Sequence, residues 1–423
     1  MKGVYSTGVR GAADRALRPG WIERACRSAV LDRLAGLRDA RLVIRDHAGD
    51  TILGDASAPL RAAVEVLDPA FWPAVALRGS VGAGESWIDG HWTSDDLTAV
   101  VRAMVRNREV LDGLETGLAR VAAPTLRLFH ALRPNSLAGA RRNIAAHYDT
   151  GNAFFSVFLD PTLTYSCAVW DAPETTLEEA QVAKVDGICR RLGLRPSHHL
   201  LEIGTGWGYL ALHAAGRFGC RVTTTTVSKE QFALATSRVA KAGLSDRVTV
   251  VLRDWRELEG AFDRLVSVEM IEAIGWRLIP EFLRACSRLL KPDGAGLIQS
   301  ITIADAHYER ARRSVDFIQR HVFPGSCIPS VGSLAAAAAA TDLKITGIED
   351  IGPHYARTLR EWRTRLLARA DRIRALGHDD RALRLWEFYF AYCEGGFEER
   401  ALGDAQILLA KPGARLDPPP SAR

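Results

Sequence analysis

The stretch Leu200-Leu-Glu-Ile-Gly204-Thr-Gly206-Trp-Gly208 constrains the fold of this chain more than any other segment. Its apolar residues are typical of a buried strand, and the closely spaced glycines predict a tight turn that opens a helix. Glycine tolerates positive φ angles and lets a ligand approach the backbone closely. The segment therefore predicts the strand, turn and helix at which a parallel α/β sheet binds a nucleotide.

Predicted strands and helices alternate on both sides of this turn, which is typical of an α/β fold with a mostly parallel sheet. We predict helices over 177–192, from about Tyr209, over 229–242 and up to Leu290, and strands over 199–203, 221–226, 248–252, 264–268 and 295–303. The alanine-rich run over 334–340 is predicted to be a packed helix.

The spacing of the glycines bears on which cofactor binds. It is Gly-x-Gly-x-Gly, without the third glycine position of the dinucleotide fingerprint. Glu202, at the end of the predicted strand, suits a cofactor that carries an ammonium group better than one that carries a pyrophosphate. These features favour S-adenosylmethionine over NAD, and a purely structural turn is the alternative.

Residues after the next two strands predict how the rest of that cofactor is held. Trp255 can stack on adenine, and the carboxylate of Asp254 can accept a hydrogen bond from the adenine amino group. The second strand ends without an acidic residue for the ribose hydroxyls. We therefore expect Thr226, Ser228 and Gln231 to supply neutral hydrogen bonds there.

The remainder of the chain predicts further segments. Residues 1–124 are predicted to form a small α-rich domain with a few strands, including a turn at the glycines of 79–84 and a helix over 94–121. The segment 125–150 interleaves arginines with apolar residues. It is either a helix lying on an anionic bilayer or a linker with a solvated basic face. The proline-rich tail over 413–423 is predicted to be disordered.

Composition narrows the class of protein. No stretch among the 423 residues approaches the length of about 18–20 apolar residues that spans a membrane. The N-terminus lacks the features of a secretory signal. Seven cysteines without Cys-x-x-Cys spacing argue against a zinc site or a disulfide framework, and fit a reducing cytoplasm. A formal charge of +5 permits anionic lipid or nucleic acid as a partner without choosing between them.

Several motifs together resemble the cyclopropane-fatty-acyl-phospholipid synthase and mycolic acid cyclopropane synthase family. In chain order they are 147–155, 164–170, 179–184, the glycine turn, 228–231, 266–275, 321–330 and 388–397. The resemblance implies a class I S-adenosylmethionine-dependent methyltransferase fold, with a mostly parallel seven-stranded sheet and a catalytic domain over 151–412. Insertions after Ile303 and near the C-terminus are expected to roof an acyl channel.

The resemblance also implies a reaction. The double bond of an unsaturated phospholipid acyl chain takes the methyl group, a carbocation forms on the chain, and loss of a methyl proton closes a cyclopropane. A bound bicarbonate ion is the base. We accordingly expect a cytoplasmic protein at the inner membrane face that needs no metal ion and does not act on nucleic acid. The resemblance leaves a homodimer and a reductase partner open.

Residue roles are carried over by position. The catalytic candidates are Cys167, Glu272, Gln299, Ile301, Tyr389 and Cys393; of these Cys167, Glu272, Ile301 and Tyr389 would cradle bicarbonate. The cofactor candidates are Tyr165, Ser166, Glu202, Gly204, Gly206, Gly208, Thr226, Ser228, Gln231, Asp254, Trp255 and Arg256. Two of the catalytic candidates have an alternative interpretation. The thiol of Cys393 can be a packed side chain in a helix over 382–392, and Glu272 can merely complement a helix N-terminus.

Two positions depart from the family pattern. Gln299 stands where the family has a histidine, and Ala273 follows Glu272 where a histidine is common. Glutamine hydrogen-bonds an anion but takes up no proton near neutral pH. One interpretation is that Gln299 still orients bicarbonate and the product is a cyclopropane. The other is a different fate of the cation, giving an exocyclic methylene that a reductase converts to a methyl branch.

Three other functions are alternatives to a lipid methyltransferase. One is a methyltransferase acting on a soluble small molecule or a carrier-bound chain. Another is a membrane-binding or regulatory protein with a degenerate cofactor site, which the intact glycines of the turn argue against. The third, a nucleic-acid methyltransferase, is disfavoured because the chain lacks an Asn/Asp-Pro-Pro-Tyr motif and interleaves no aromatics among its basic residues.

Overall fold

The structure is a computed structural model that describes residues 19–108 and 151–416. In chain order its helices and strands are Trp21–Leu34 (α1), Arg41–Asp46 (β1), Gly49–Gly54 (β2), Arg61–Val66 (β3), Phe71–Ile88 (α2), Trp92–Thr93 (β4), Leu97–Arg106 (α3), Asn152–Phe158 (α4), Leu177–Arg191 (α5), His199–Ile203 (β5), Tyr209–Phe218 (α6), Arg221–Thr226 (β6), Lys229–Lys241 (α7), Val248–Leu252 (β7), Phe262–Val268 (β8), Ile279–Leu289 (α8), Leu290–Ile303 (β9), Asp305–Ala311 (α9), Phe317–His321 (α10), Val331–Ala339 (α11), Lys344–Asp350 (β10), Gly352–Ala368 (α12), Ala370–Ala375 (α13), Asp380–Glu398 (α14) and Leu402–Ala410 (β11).

The described residues form two compact units. The first unit comprises residues 19–108, 315–322 and 359–401, and the second comprises 151–314, 323–358 and 402–416. The second unit is built around a seven-stranded sheet of order β10-β11-β9-β8-β5-β6-β7. The five strands from β9 to β7 are parallel. β11 is antiparallel to both of its neighbours, β9 and β10, so it alone runs in the opposite direction. The predicted α/β fold with a mostly parallel seven-stranded sheet is confirmed.

Neighbouring residues on the central strands pack into two different hydrophobic clusters. Leu200 and Val266 belong to one cluster, whereas Leu201 and Leu265 belong to the other. Successive side chains of a strand point to opposite faces, so both faces of this sheet are covered. One cluster includes residues of α5, α6 and α7, and the other includes residues of α8 and α11.

The glycine turn between β5 and α6 takes the conformation that its sequence predicts. The φ angles of Gly204, Gly206 and Gly208 are 103°, 51° and 88°. The amides of Gly204 and Thr205 both donate to the carbonyl oxygen of Thr225 at the end of β6, at 3.0 Å each. The turn is therefore fixed to the neighbouring parallel strand, at the carboxyl edge of the sheet.

The first unit contains a four-stranded sheet of order β2-β1-β3-β4 together with helices. The turn predicted at the glycines of 79–84 is reduced to a kink at Gly79, whose angles are non-helical, and Gly82 and Gly84 lie within the helix α2. Close packing explains the glycines better. A Cβ atom on Gly84 would lie 2.4 Å from the ring of Phe317.

Several predicted segments lie partly or wholly outside the described residues. The helix predicted over 94–121 is observed as α3, and its remainder after residue 108 is outside. The segment 125–150 is outside too, as is the tail from 417 onward. No described helix is both long and apolar enough to cross a membrane. The domain boundaries stay a prediction.

The contact between Gly208 and α7 yields a test of how the turn is held. We expect Gly208→Ala to destabilise the protein, because a Cβ atom would combine a strained positive φ with a 3.1 Å contact to Cβ of Ala235. The strain alone costs roughly 1–2 kcal/mol. Gly243→Ala is the matched control, since its φ is +68° and no atom lies within 4 Å. Urea unfolding measures both variants, and equal losses would contradict this account.

Candidate cofactor and active site

A cavity of about 220 Å³ lies in the second unit, at the carboxyl edge of the parallel strands. Its lining comes from the loop before α5, from α5 itself, and from the segments that follow β5, β6, β7 and β8. Residues of the segment 323–326 complete the lining. Ligands of open α/β sheets bind outside the carboxyl ends of the strands, so this is where a cofactor is expected.

Most of the predicted cofactor residues line this cavity. They are Tyr165, Ser166, Glu202, Gly204, Gly206, Thr226, Gln231, Asp254, Trp255 and Arg256. The two others are placed behind the lining. Gly208 caps α6 and packs against α7, and Ser228 caps α7, accepting a hydrogen bond from the amide of Gln231 at 3.3 Å.

Glu202 is the penultimate residue of β5, and its side chain is buried. Burial raises the pKa of Glu202 to about 8, although a hydrogen bond with Thr224 and the nearby Lys184 oppose this shift. Its Oε2 accepts no hydrogen bond from the part of the chain that the structure describes. A buried acceptor without a partner costs free energy, so this oxygen fits the ammonium group of S-adenosylmethionine.

Lys184 lines the same cavity, and sequence reasoning assigned it no role. It lies on α5 with almost no exposure, and its Nζ donates to Oγ of Ser166 at 2.7 Å. Gln181, one turn earlier, donates its side-chain amide to the carbonyl oxygen of Ser166 at 2.8 Å. The signal was the presence of two polar residues at helical spacing on the buried face of α5.

The predicted adenine contacts form a compact group after β7. Trp255 packs edge-on against Phe282, with 5.3 Å between the ring centroids. Both oxygens of Asp254 accept from the guanidinium of Arg256, each at 2.8 Å. Asp254 also accepts from the backbone amide of Arg256 and so starts a 3₁₀ turn over 255–257. The aromatic ring and the carboxylate are therefore both fixed in position beside the cavity.

The predicted ribose contacts Thr226 and Gln231 bond to one another. The hydroxyl of Thr226 donates to Oε1 of Gln231 at 2.8 Å, and both side chains are buried. The hydroxyl oxygen also accepts from the amide of Ser228 at 3.1 Å. This network holds the end of β6 against the start of α7 without any charged group.

Four of the predicted catalytic residues belong to the second unit: Cys167, Glu272, Gln299 and Ile301. None of the four lines the cavity. Glu272 accepts at Oε1 from the hydroxyl of Ser300 at 2.8 Å and from the backbone amide of Ile301 at 2.6 Å. Burial, and then the neighbouring carboxylate of Glu269, raise the pKa of Glu272 to about 8.

Cys167 is fully buried beside the predicted cofactor loop. Burial, followed by the carboxyl groups of Asp404 and Glu269, raises the pKa of the Cys167 thiol well above its usual range. The sulfur contacts the carbonyl oxygens of Ala168 and Ile351 at 3.3 and 3.6 Å. Its side chain is therefore a packed thiol. Its backbone amide donates a hydrogen bond to a partner in the cavity lining.

That partner is Glu269, which sequence reasoning missed although it lines the cavity directly after β8. Its Oε1 accepts from the amide of Cys167 and from Nε2 of Gln299, both at 2.8 Å. The available signal was its position. Like Glu202, it is an acidic residue at the carboxyl end of a central parallel strand.

Tyr389 and Cys393 lie on α14 in the first unit. Tyr389 is buried and packs edge-on against Trp386, with 5.6 Å between ring centroids. Burial, with the carboxylate of Asp316, raises the pKa of the Cys393 thiol. The helix predicted over 382–392 is observed as part of α14, and the roles of both residues stay predictions.

Comparisons with known proteins identify the family of this chain. The family model described as mycolic acid cyclopropane synthetase matches residues 135–407. The chain is 37% identical to tuberculostearic acid methyltransferase UfaA1 of Mycobacterium tuberculosis, over 92% of each chain. It is 35% identical to cyclopropane-fatty-acyl-phospholipid synthase of Escherichia coli, over 86% of this chain and 91% of that protein.

A solved structure gives the same result for the fold. Mycolic acid cyclopropane synthase CmaA1, complexed with SAH and CTAB, superposes with a TM-score of 0.60 and 31% identity. The match covers 64% of this chain and 98% of CmaA1. The chain therefore belongs to the mycolic acid cyclopropane synthetase family and is an S-adenosylmethionine-dependent methyltransferase.

Proposed function

We propose that this protein transfers a carbon from S-adenosylmethionine to the double bond of an unsaturated acyl chain in a membrane phospholipid. The observation that carries the proposal is the composition of the cavity. Beside the cofactor residues, its lining includes the apolar side chains of Met270, Ile274, Leu278 and Phe323. Two relatives that span nearly the whole chain are named for acyl-chain products, which supports the same substrate class.

Different residues of this chain would bind different parts of the cofactor. When bound, S-adenosylmethionine supplies an electrophilic methyl group on a sulfonium. Glu202 would bind its ammonium group, and the ammonium of Lys184 would attract its carboxylate. Trp255 would stack on the adenine. The buried position of these groups excludes water, which matters because a carbocation on the acyl chain would be trapped by water.

Two products are compatible with the same first step. Loss of a proton from the new methyl group closes a cyclopropane, which is the product that the family resemblance implies. A hydrogen shift before that loss instead gives an exocyclic methylene. The second product is favoured by the 37% identity to a tuberculostearic acid methyltransferase and by Gln299, which donates to carboxyl groups.

Other parts of the sequence-based prediction stay predictions. They are the phospholipid head group, attachment to the cytoplasmic face of the inner membrane, a homodimer, a reductase partner and bicarbonate as the base. The basic segment over 125–150, which we expect to help bind the bilayer, lies outside the described residues. A protein that acts at a membrane surface would transfer methyl groups faster to vesicles than to free or thioester substrates.

The raised pKa of Glu202 predicts that cofactor binding depends on pH. Below about pH 8 this carboxyl group carries a proton in the unliganded protein, and binding of an ammonium group must expel it. We expect affinity to fall as pH falls from 8 to 6, by up to about tenfold per pH unit. Isothermal titration calorimetry in buffers of different ionisation enthalpy measures both the affinity and the proton release.

Glu202→Gln is the matched control for this titration. It keeps the size of the side chain and every other titrating group, including Glu272, whose pKa is also about 8. The variant is expected to bind more weakly and to lose most of the pH dependence between 6 and 8. A wild-type affinity that does not change over this range would show that Glu202 does not bind the ammonium.

The substrate and the product are tested together by lipid analysis. A heterologous host supplied with oleate expresses the protein, and its phospholipid acyl chains are analysed by gas chromatography and mass spectrometry. We expect chains enlarged by one CH₂. Loss of the double bond to a ring identifies the cyclopropane, and a retained exocyclic double bond identifies the methylene. Purified protein is then assayed on vesicles of unsaturated phospholipid and on soluble acyl substrates; transfer to soluble substrates alone would refute the phospholipid proposal.

A further inference from the structure

Glu269 has a backbone conformation that few side chains adopt. Its φ angle is 46°, in the left-handed region that favours glycine. Such strain persists where the surrounding structure holds the residue, and it concentrates at functional sites. Here the amide of Glu269 donates to the carbonyl oxygen of Gln299 at 2.8 Å. The strained backbone places an acidic side chain in the lining of the cofactor cavity.

Three donors from three parts of the chain converge on this carboxylate. Oε1 accepts from the backbone amide of Cys167 and from the side-chain amide of Gln299, each at 2.8 Å. Oε2 accepts from the hydroxyl of Tyr355, on α12, at 2.5 Å. Three hydrogen bonds from separate parts of the chain fix the direction in which this carboxyl group points.

Gln299 has the geometry of a positioning residue. Its Nε2 also donates to Oδ2 of Asp404 at 2.9 Å, and its Oε1 accepts from Nε2 of Gln406 at 3.0 Å. The amide is fully buried and every atom that can hydrogen-bond is fixed in direction. Burial, and then the neighbouring Glu269, raise the pKa of Asp404 well above its usual range.

The groups that the family resemblance assigns to bicarbonate are already bonded within the protein. The amide of Cys167 donates to Glu269, and the amide of Ile301 donates to Oε1 of Glu272 at 2.6 Å. Both acceptors are carboxyl groups of the chain itself. An anion that needed these two donors would have to displace the carboxyl group that is bonded to each of them.

We propose that the carboxylate of Glu269, oriented by Gln299 and Tyr355, is the base that removes a proton from the newly added methyl group, in place of bicarbonate. This inference rests on the proposed function. A C–H bond of the methyl group breaks and an O–H bond forms on Glu269. The electron pair stays on carbon, where it closes the ring or, after a hydrogen shift, forms the exocyclic double bond. The proton then passes to solvent, and no further reactant is needed.

The first test uses the unmodified protein. Its turnover on unsaturated phospholipid vesicles is measured in buffer freed of carbon dioxide, and again after bicarbonate is added. Because the base is part of the chain, we expect equal rates in both buffers. A rate that falls on removal of bicarbonate and returns on its addition would overturn the proposal.

The second test changes the base. Glu269→Gln keeps the shape of the side chain but accepts no proton, so turnover is expected to fall by about 100- to 10,000-fold. Binding of S-adenosylhomocysteine is expected to stay unchanged. With a trideuterated methyl group on the cofactor, the isotope effect on turnover is expected to rise, because proton removal becomes slow. Glu259→Gln, at an exposed carboxylate after β7, is the matched control and is expected to behave as wild type.

A third variant separates a base from a structural side chain. Glu269→Gly relieves the strained φ angle and leaves space for a small anion. We expect added formate or bicarbonate to restore turnover to this variant and not to the Gln variant. Full activity of Glu269→Gln, or loss of activity in Glu269→Gly that no anion restores, would overturn the proposal. Failure of the proposed function gives a different pattern, in which the wild type transfers nothing to unsaturated lipid in either buffer.

Discussion

The buried polar residues at the carboxyl edge of the second unit's sheet depend on the electrostatic attraction between the ammonium of Lys184 and the carboxyl groups around it. It is buried on α5 and is attracted to the carboxyl groups of Glu269, Asp404 and Glu202. Burial lowers the pKa of Lys184, whereas Glu269 and its other acidic neighbours raise it. Charges taken out of water are tolerated only when they are paired and hydrogen-bonded. The attraction of this buried ammonium offsets part of the repulsion between acidic residues that meet at one edge of the sheet.

The carboxyl groups around Lys184 also affect which charge the cavity can stabilise. Carboxyl groups outnumber the ammonium of Lys184 among these residues, and two of them, Glu202 and Glu269, line the cavity. Fixed negative charge in a water-poor site stabilises a positive charge that develops nearby. A sulfonium cofactor and a carbocation on an acyl chain are both positive, so this environment suits both. The raised pKa values of Glu202 and Asp404 limit how much negative charge is present before a ligand binds.

Local pattern explains what could be predicted from the sequence. The glycine turn, the parallel strands and most of the cofactor residues follow from strand, turn and helix signals within short segments. The glycines of α2 were misinterpreted because their cause is a contact with Phe317, far away in the chain. Lys184 and Glu269 were missed for a related reason. A lysine on a helix and a glutamate after a strand are ordinarily solvated, and only the folded sheet buries them together.

Gln299, which stands where the family has a histidine, changes the hydrogen bonding and the charge at this position. A neutral imidazole offers one donor and one acceptor, and between two carboxyl groups it would take up a proton and pair with both. The amide of glutamine instead offers two donors on one nitrogen and leaves the charge unchanged. Gln299 thus holds Glu269 and Asp404 close together while leaving Glu269 free to accept a proton. Without the side chain of Gln299, the carboxyl group of Glu269 would lose one of its three hydrogen-bond donors, whereas the backbone carbonyl of residue 299 would still accept from the amide of Glu269.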